Sequence, residues 1–202
     1  LIGEFGEERR SLVRLPEVPK HLVQAILAAE DDAFFQHRGI DFTGIARAVL
    51  ANIFAGGRSQ GASTITMQVA RNFYLSSEKT FTRKIYEVLL ASEIERKLTK
   101  NQILELYLNQ IYLGKRAYGF AAASQTYFGK EITKISLAEA AMLAGLPKAP
   151  SAFNPSANLR RATLRQHYVL GRMEKLGLIS PRQSAEAKAE KLTVIGRADE
   201  FP

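Results

Sequence analysis

The stretch Pro19-Lys20-His21-Leu22-Val23-Gln24-Ala25-Ile26-Leu27-Ala28-Ala29-Glu30-Asp31-Asp32-Ala33-Phe34 sets the fold class. Proline suits a first helical turn, where its missing N–H has no intrahelical partner to lose. Leu22, Val23, Ile26 and Leu27 follow at the spacing of one helix face. Four residues beyond Ile26 the same face reaches Glu30, and then Phe34. The spacing therefore places a carboxylate on the buried side of an apolar helix. Elsewhere apolar residues recur mostly at helical spacing, and no run of alternating β-branched residues marks a sheet. The chain is expected to be mostly α, with any short strands near its termini.

Further helices are bounded by local chemistry. Thr99-x-x-Gln102, Ser136-x-x-Glu139 and Ser180-Pro181-x-Gln183 each pair an N-cap hydroxyl with a side chain three residues on that reaches back. After the first, Ile103, Leu104, Tyr107, Leu108 and Ile111 form a core stripe that is expected to end at Gly114 as a C-cap. Residues 117–128 read as a helix rich in Ala121, Ala122, Ala123 and Ser124, closed by Gly129. The following helix should stop near Gly145. Pro147, Pro150 and Pro155 then suggest an extended connection to a C-terminal helical pair over 159–176 and 182–191.

At 202 residues the chain can bury one good core, so residues 1–202 read as a single domain. Hydrophobic residues at 46% and charged residues at 24% exclude a disordered or low-complexity chain. The absence of cysteine removes disulfides, zinc thiolates and thiol nucleophiles. No stretch approaches the roughly 20 apolar residues that span a bilayer, and the N-terminus has no secretory pattern. A net charge of +8 points to an anionic partner: nucleic acid, phospholipid headgroups or a phosphorylated substrate. With no aromatic nucleic-acid motif or zinc finger, nucleic acid rests on charge alone, and no nucleic-acid partner is expected.

Three segments carry chemistry. The acidic triplet Glu30-Asp31-Asp32 would ordinarily be a solvated surface feature. Glu30, however, extends the apolar stripe, and a carboxylate partly withdrawn from water gains the basicity of a general base. His37 is placed to hydrogen-bond within the same turn. Next, Gly61-Ala62-Ser63-Thr64-Ile65-Thr66-Met67-Gln68 is hydroxyl-rich, and its small residues let backbone amides approach a ligand. It matches neither a nucleophile elbow nor a P-loop. Its plainest reading is a helix N-cap; its functional one has Ser63, Thr64 and Gln68 holding sugar hydroxyls or phosphate oxygens. Finally, Arg83-Lys84-Ile85-Tyr86-Glu87 sets both cations within reach of Glu87 on one helix face. That is either a surface ion-pair set or a clamp for a pyrophosphate. His21 and His167 have no partners at metal spacing.

Between the first two segments and just beyond, Gly56, Gly57, Ser59, Gln60 and Gly61 suggest a mobile loop, flanked by Ile53, Phe54, Phe73, Tyr74 and Leu75. Residues 53–78 are expected to form a mobile, membrane-facing lobe, with Arg58 and Arg71 nearby for anionic headgroups; a lid, or aromatics packed as ordinary core, are the alternatives.

Together with Lys100-Asn-Gln-Ile-Leu-Glu105-Leu-Tyr-Leu-Asn109-Gln-Ile-Tyr112-Leu-Gly114 and Leu137-Ala-Glu139-Ala-Ala-Met-Leu-Ala-Gly-Leu-Pro147-Lys-Ala-Pro150, these segments resemble family 51 of the glycosyltransferases. This is the peptidoglycan glycosyltransferase domain of class A penicillin-binding proteins and their monofunctional relatives. The likeness spans residues 15–155 in five ordered motifs. It implies a mostly α, lysozyme-like fold with a large helical lobe and a smaller membrane-facing lobe. It also implies the substrate, lipid II, an undecaprenyl-pyrophosphoryl disaccharide-pentapeptide, polymerised into β-1,4 glycan by inverting displacement.

By that resemblance Glu30 matches the catalytic base and Glu87 the second essential carboxylate, the latter orienting the donor or holding a divalent cation such as Mg or Mn. Arg71, Lys79, Arg83 and Lys84 would stabilise the departing pyrophosphate. Met67 stands where the family commonly has Gln, and Arg71 where it has Lys; Arg71 keeps the charge, whereas Met67 loses a polar contact. The expected partners are lipid II, the growing glycan strand, the membrane surface and phosphoglycolipid inhibitors such as moenomycin. The expected location is the outer face of the bacterial cytoplasmic membrane, with the usual anchor and transpeptidase domain lying outside an excised domain. The alternatives are a lysozyme-like glycan hydrolase or lytic enzyme, and a basic membrane- or nucleic-acid-binding module.

Overall fold

Local capping and apolar spacing give a chain that is mostly helical among the described residues. The computed structural model describes residues 9–44, 46, 63–73 and 81–196. Along the chain come β1 (Arg9–Arg10), a short 3-10 turn (Leu15–Glu17), α1 (Lys20–Glu30), α2 (Ile65–Arg71), α3 (Phe81–Lys97) and α4 (Lys100–Gln110). They are followed by β2 (Ala117–Tyr118), α5 (Phe120–Phe128), a 3-10 turn (Ile132–Lys134), α6 (Leu137–Ala144), α7 (Leu159–Lys175) and α8 (Pro181–Ala189). The chain's own contacts divide it into two compact units, Leu1–Ala29 with Leu108–Pro202, and Glu30–Tyr107.

In the first unit, β1 and β2 pair in parallel with Arg9 opposite Ala117 and Arg10 opposite Tyr118. One of the expected terminal strands is thus near the N-terminus, whereas its partner lies in mid-chain. The Asn109 side-chain amide extends this pairing: its Oδ1 accepts from Val13 N–H and its Nδ2 donates to the Val13 carbonyl, both at 2.8 Å. The core is made of the buried faces of α1, α5, α6 and α7, with Leu22, Ile26, Phe120, Tyr127, Leu143 and Leu170 fully enclosed. The Ser136 and Ser180 boxes form as the spacing predicts. Gly129 closes α5 in the left-handed region, and Gly145 caps α6.

Gly114 does not cap α4, which ends at Gln110; the intervening residues are drawn off into a bridge between Tyr112 and Tyr118 and a Leu113–Ala117 hydrogen bond. Gly114 instead turns the chain at φ 88°, where an added Cβ would lie 2.6 Å from the Tyr127 hydroxyl. The proline-bearing segment after α6 is not extended. It is a succession of turns closed by Ala149 N–H to Leu146, Phe153 N–H to Ala149 and Asn158 N–H to Asn154, because proline at a turn's second position presets the needed φ.

The second unit joins the end of α1 to α2, α3 and most of α4. Its core holds Phe34, Ile65, Val69, Ala91, Ile103, Leu104 and Tyr107. The Thr99 box starts α4: Thr99 Oγ1 accepts from Gln102 N–H, and Gln102 Oε1 accepts from Thr99 N–H at 2.9 Å. Gly39, at φ 86°, lets the loop after α1 lie against α3; a Cβ there would sit 3.2 Å from the Ala91 carbonyl and from Glu95. Ile85, Tyr86 and Leu89 on α3, together with Phe42 and Phe73, are exposed. Of the lobe expected over 53–78, Phe54, Arg58, Tyr74 and Leu75 lie outside the described residues.

Candidate active site

Helix α2 is seven residues long and gains its stability from what holds its first turn. Thr64 is its N-cap, accepting from Met67 N–H through Oγ1 and donating to the Gly39 carbonyl at 2.6 Å. The Asp31 carboxylate takes the Ile65 N–H at 3.0 Å, placing negative charge where the helix dipole favours it. The same carboxylate bonds His37 Nε2 at 2.9 Å. Asp31 is therefore a buried anchor, although the triplet it belongs to reads as surface; His37 makes the local contact its spacing suggested, with a partner six residues back.

With α2 so fixed, its side chains meet two carboxylates. Gln68 Nε2 donates to Glu30 Oε2 at 2.9 Å, and Arg71 forks onto Glu87, with Nε 3.0 Å from Oε1 and Nη2 3.3 Å from Oε2. Glu30 is half-buried at the C-terminal end of α1. Behind it the Tyr107 hydroxyl points at Gln68 Oε1, 3.4 Å away. Tyr107 is wholly enclosed, and its pKa is pushed well above the ordinary value, chiefly by desolvation and then by the charges of Glu30 and Asp31. It therefore stays protonated, a donor aimed at the amide oxygen, and this orients the Gln68 NH₂ toward Glu30.

Glu87 is 1% exposed and surrounded by cations. Besides Arg71, Lys84 Nζ lies 3.2 Å from Oε2 and Arg83 Nε 3.4 Å from Oε1. Burial alone would raise its pKa, but the hydrogen bonds and charges of Arg71 and Lys84 outweigh that and hold it below the ordinary carboxylate value. Glu87 is ionised, and the three cations around it leave a net positive cluster. Ser63 Oγ accepts from Lys84 Nζ at 2.9 Å and lies 3.5 Å from Arg71 Nη2, so its own proton remains available to an anion.

Of the residues picked from sequence, Glu30 and Gln68 are thus paired, and Ser63, Arg71, Arg83, Lys84 and Glu87 form one cluster. Thr64 stands apart, its hydroxyl buried and committed to the cap. Lys79 lies outside the described residues. Met67 is buried, consistent with the loss of a polar role. Tyr107 was visible in sequence only as one apolar position of a core stripe. A divalent cation does not fit Glu87, since both its oxygens already face cations; among the described residues no group of three or more His, Cys, Asp or Glu side chains could hold a metal.

Comparison with known proteins gives this geometry its family. The transglycosylase family model matches residues 1–174. Penicillin-binding protein 1A of Neisseria flavescens is 58% identical over 95% of this chain, and that of Neisseria gonorrhoeae 56% over the same share. The chain spans 24% of the length of these relatives. A Cupriavidus necator protein whose name carries the word transglycosylase is 59% identical over 89% of this chain and 78% of its own length. The crystal structure of penicillin-binding protein 1A from Haemophilus influenzae superposes with a TM-score of 0.59 at 33% identity, covering 96% of this chain and 19% of that one. That likeness supports the mostly helical, lysozyme-like fold expected from the motifs. By the family match and by the relative it covers for most of its length, the chain belongs to the transglycosylase family.

Proposed function

We propose that the chain is a peptidoglycan glycosyltransferase that polymerises lipid II into β-1,4 glycan. The observation that carries this reading is the cation cluster on Glu87 together with a second carboxylate, Glu30, held by the neutral Gln68 amide. In the step, the acceptor 4-hydroxyl oxygen attacks the anomeric carbon of the donor. The bond from that carbon to the pyrophosphate oxygen breaks, and its electron pair leaves on the pyrophosphate. Glu30 takes the hydroxyl proton. The α-linked donor becomes a β-linked product, as in-line displacement requires.

Pyrophosphate is already a good leaving group, so charge stabilisation matters more than a general acid. Arg71, Arg83 and Lys84 supply it, and Ser63 adds a neutral donor. Glu87 acts as a positioning residue: without it, three cations held this close would repel one another and splay. Gln68, oriented by Tyr107, fixes the Glu30 carboxylate for the incoming hydroxyl.

A glycan hydrolase would have no use for three cations gathered on a buried carboxylate, and a simple basic module would not need Glu30. The cell-wall substrate implies work outside the cytoplasm at a membrane surface, although no helix among the described residues is long and apolar enough to cross one. Phe42, Phe73, Ile85 and Leu89 of the Glu30–Tyr107 unit are exposed apolar side chains available for such contact. Incubation with labelled lipid II tests the proposal: glycan polymer supports it, whereas intact lipid II overturns it and cleavage of preformed glycan favours the hydrolase.

A further inference from the structure

The loop that leaves Glu30 does not stop at the active site. It runs on to form, with the C-terminal part of α3 and the start of α4, a cavity of about 640 Å³. That volume is within the range of small-ligand sites. On α3 the cavity begins at Ser92 and includes Glu95, eight residues beyond Glu87, or about 12 Å along the helix axis. None of Ser63, Arg71, Arg83, Lys84 and Glu87 lines it, so it is separate from the cation cluster.

Its floor is built and electrically neutral. Lys100 Nζ is 2.7 Å from Glu95 Oε1 and sits over the Phe34 ring, 4.3 Å from its centre, while Glu95 also accepts from the Thr66 hydroxyl. Its walls include Phe35, 56% exposed, and Leu98. Its rim is cationic. Arg38 has neither an ion pair nor a hydrogen bond among the described residues. Among the described residues Arg96 meets only the half-exposed Glu93, a pair that solvent weakens. The side chain of His37 forms part of the wall, more than nine-tenths buried, with Nδ1 unpartnered.

Two guanidiniums above an apolar wall suit a carboxylate carried on a short, partly apolar chain, because the guanidinium fork matches a carboxylate in two-point contact. We propose that this cavity receives a carboxylate of the peptide carried by the substrate. The inference rests on the lipid II reading and extends it from the sugar to the peptide. Reach permits it: Phe35 is five residues from Glu30, so the two lie within about 18 Å even along an extended chain, and an extended pentapeptide spans about the same length.

The test compares polymerisation of lipid II bearing its native pentapeptide with lipid II whose peptide carboxylates are amidated, using wild type and the double variant Arg38→Gln, Arg96→Gln. The variant should raise KM for the native substrate roughly tenfold with kcat unchanged, the size of one lost charge-assisted contact. The amidated substrate should show the raised KM in wild type and no further change in the variant. Equal KM values for wild type and variant on the native substrate would overturn the proposal, as would an equal loss on both substrates. A second measurement separates this idea from the activity itself. Titration of the free pentapeptide, followed by NMR, should shift signals of Phe35 and Leu98 in wild type and not in the variant. Those shifts without polymer from any substrate would uphold the cavity and sink the polymerase reading. No shifts, with normal polymerisation, would sink the cavity alone.

Discussion

Gln68 and Arg71 stand three residues apart on α2, and each holds a different carboxylate: Gln68 takes Glu30 and Arg71 takes Glu87. Residues at that spacing share a helix face, with a rise between them of about 4.5 Å. One face of a seven-residue helix therefore sets the relation between the proposed base and the anion-stabilising cluster. A tilt of α2 would disturb both halves of the reaction together.

Glu30→Gln keeps the shape and the contact with Gln68 but removes the proton acceptor. Polymerisation of lipid II should fall by roughly 10²–10⁴ with the fold intact. A well-folded variant within threefold of wild type would remove Glu30 from the role of base.

Glu87 gives stability a defined pH dependence. Its folded-state pKa lies below the ordinary value of 4.5, so its ionised form stabilises the fold above that value, and this contribution disappears as pH falls through the folded pKa. Glu87→Gln should lower the urea midpoint near neutral pH, and the gap to wild type should close in acid. A gap that stays constant from neutral pH down through this window would show that Glu87 contributes packing rather than charge.

Lys84→Met preserves most of the apolar stem and deletes the charge that meets Ser63 and Glu87. A phosphoglycolipid that mimics the donor should bind roughly tenfold more weakly, as expected for one charge-assisted contact. Unchanged affinity by calorimetry would put the pyrophosphate elsewhere.

On α3, Ile85 and Leu89 are one turn apart and 48% and 60% exposed. Replacing both by Ser should weaken binding to anionic liposomes while changing stability by no more than about 0.5 kcal/mol, as is usual for surface positions. A large fall in Tm with unaltered liposome binding would mean that these side chains pack against protein instead.

What could be read from the sequence was what neighbouring residues decide. The hydroxyl and carboxylate or amide at Thr99, Ser136 and Ser180 satisfy amides three residues away, so those helix starts need no tertiary knowledge. The pairing of Arg83 and Lys84 with Glu87 is legible for the same reason. Arg71, the closest of the three cations around Glu87, comes from another helix sixteen residues earlier, and no spacing rule reveals it. Asp31 is similar: within an acidic triplet it looks solvated, and only the distant Ile65 amide and His37 explain its burial. Tyr107 shows the limit of periodicity, which identifies a buried ring but not where its hydroxyl points. Gly114 failed as a cap because long-range pairing of Tyr112 with Tyr118 diverts the chain after Gln110.

The anchoring of α2 by Asp31 has a consequence for the order of events when the chain folds. The bond from Ile65 to Asp31 spans 34 residues of sequence, and that from Gln68 to Glu30 spans 38. Contacts of such separation form only after a long loop has closed, whereas α1, α3 and α4 are each made of local contacts. A nascent or refolding chain will therefore gain its helical signal before it gains a competent base. Conversely, the first opening on mild heating should silence the chemistry while most of the helix content survives.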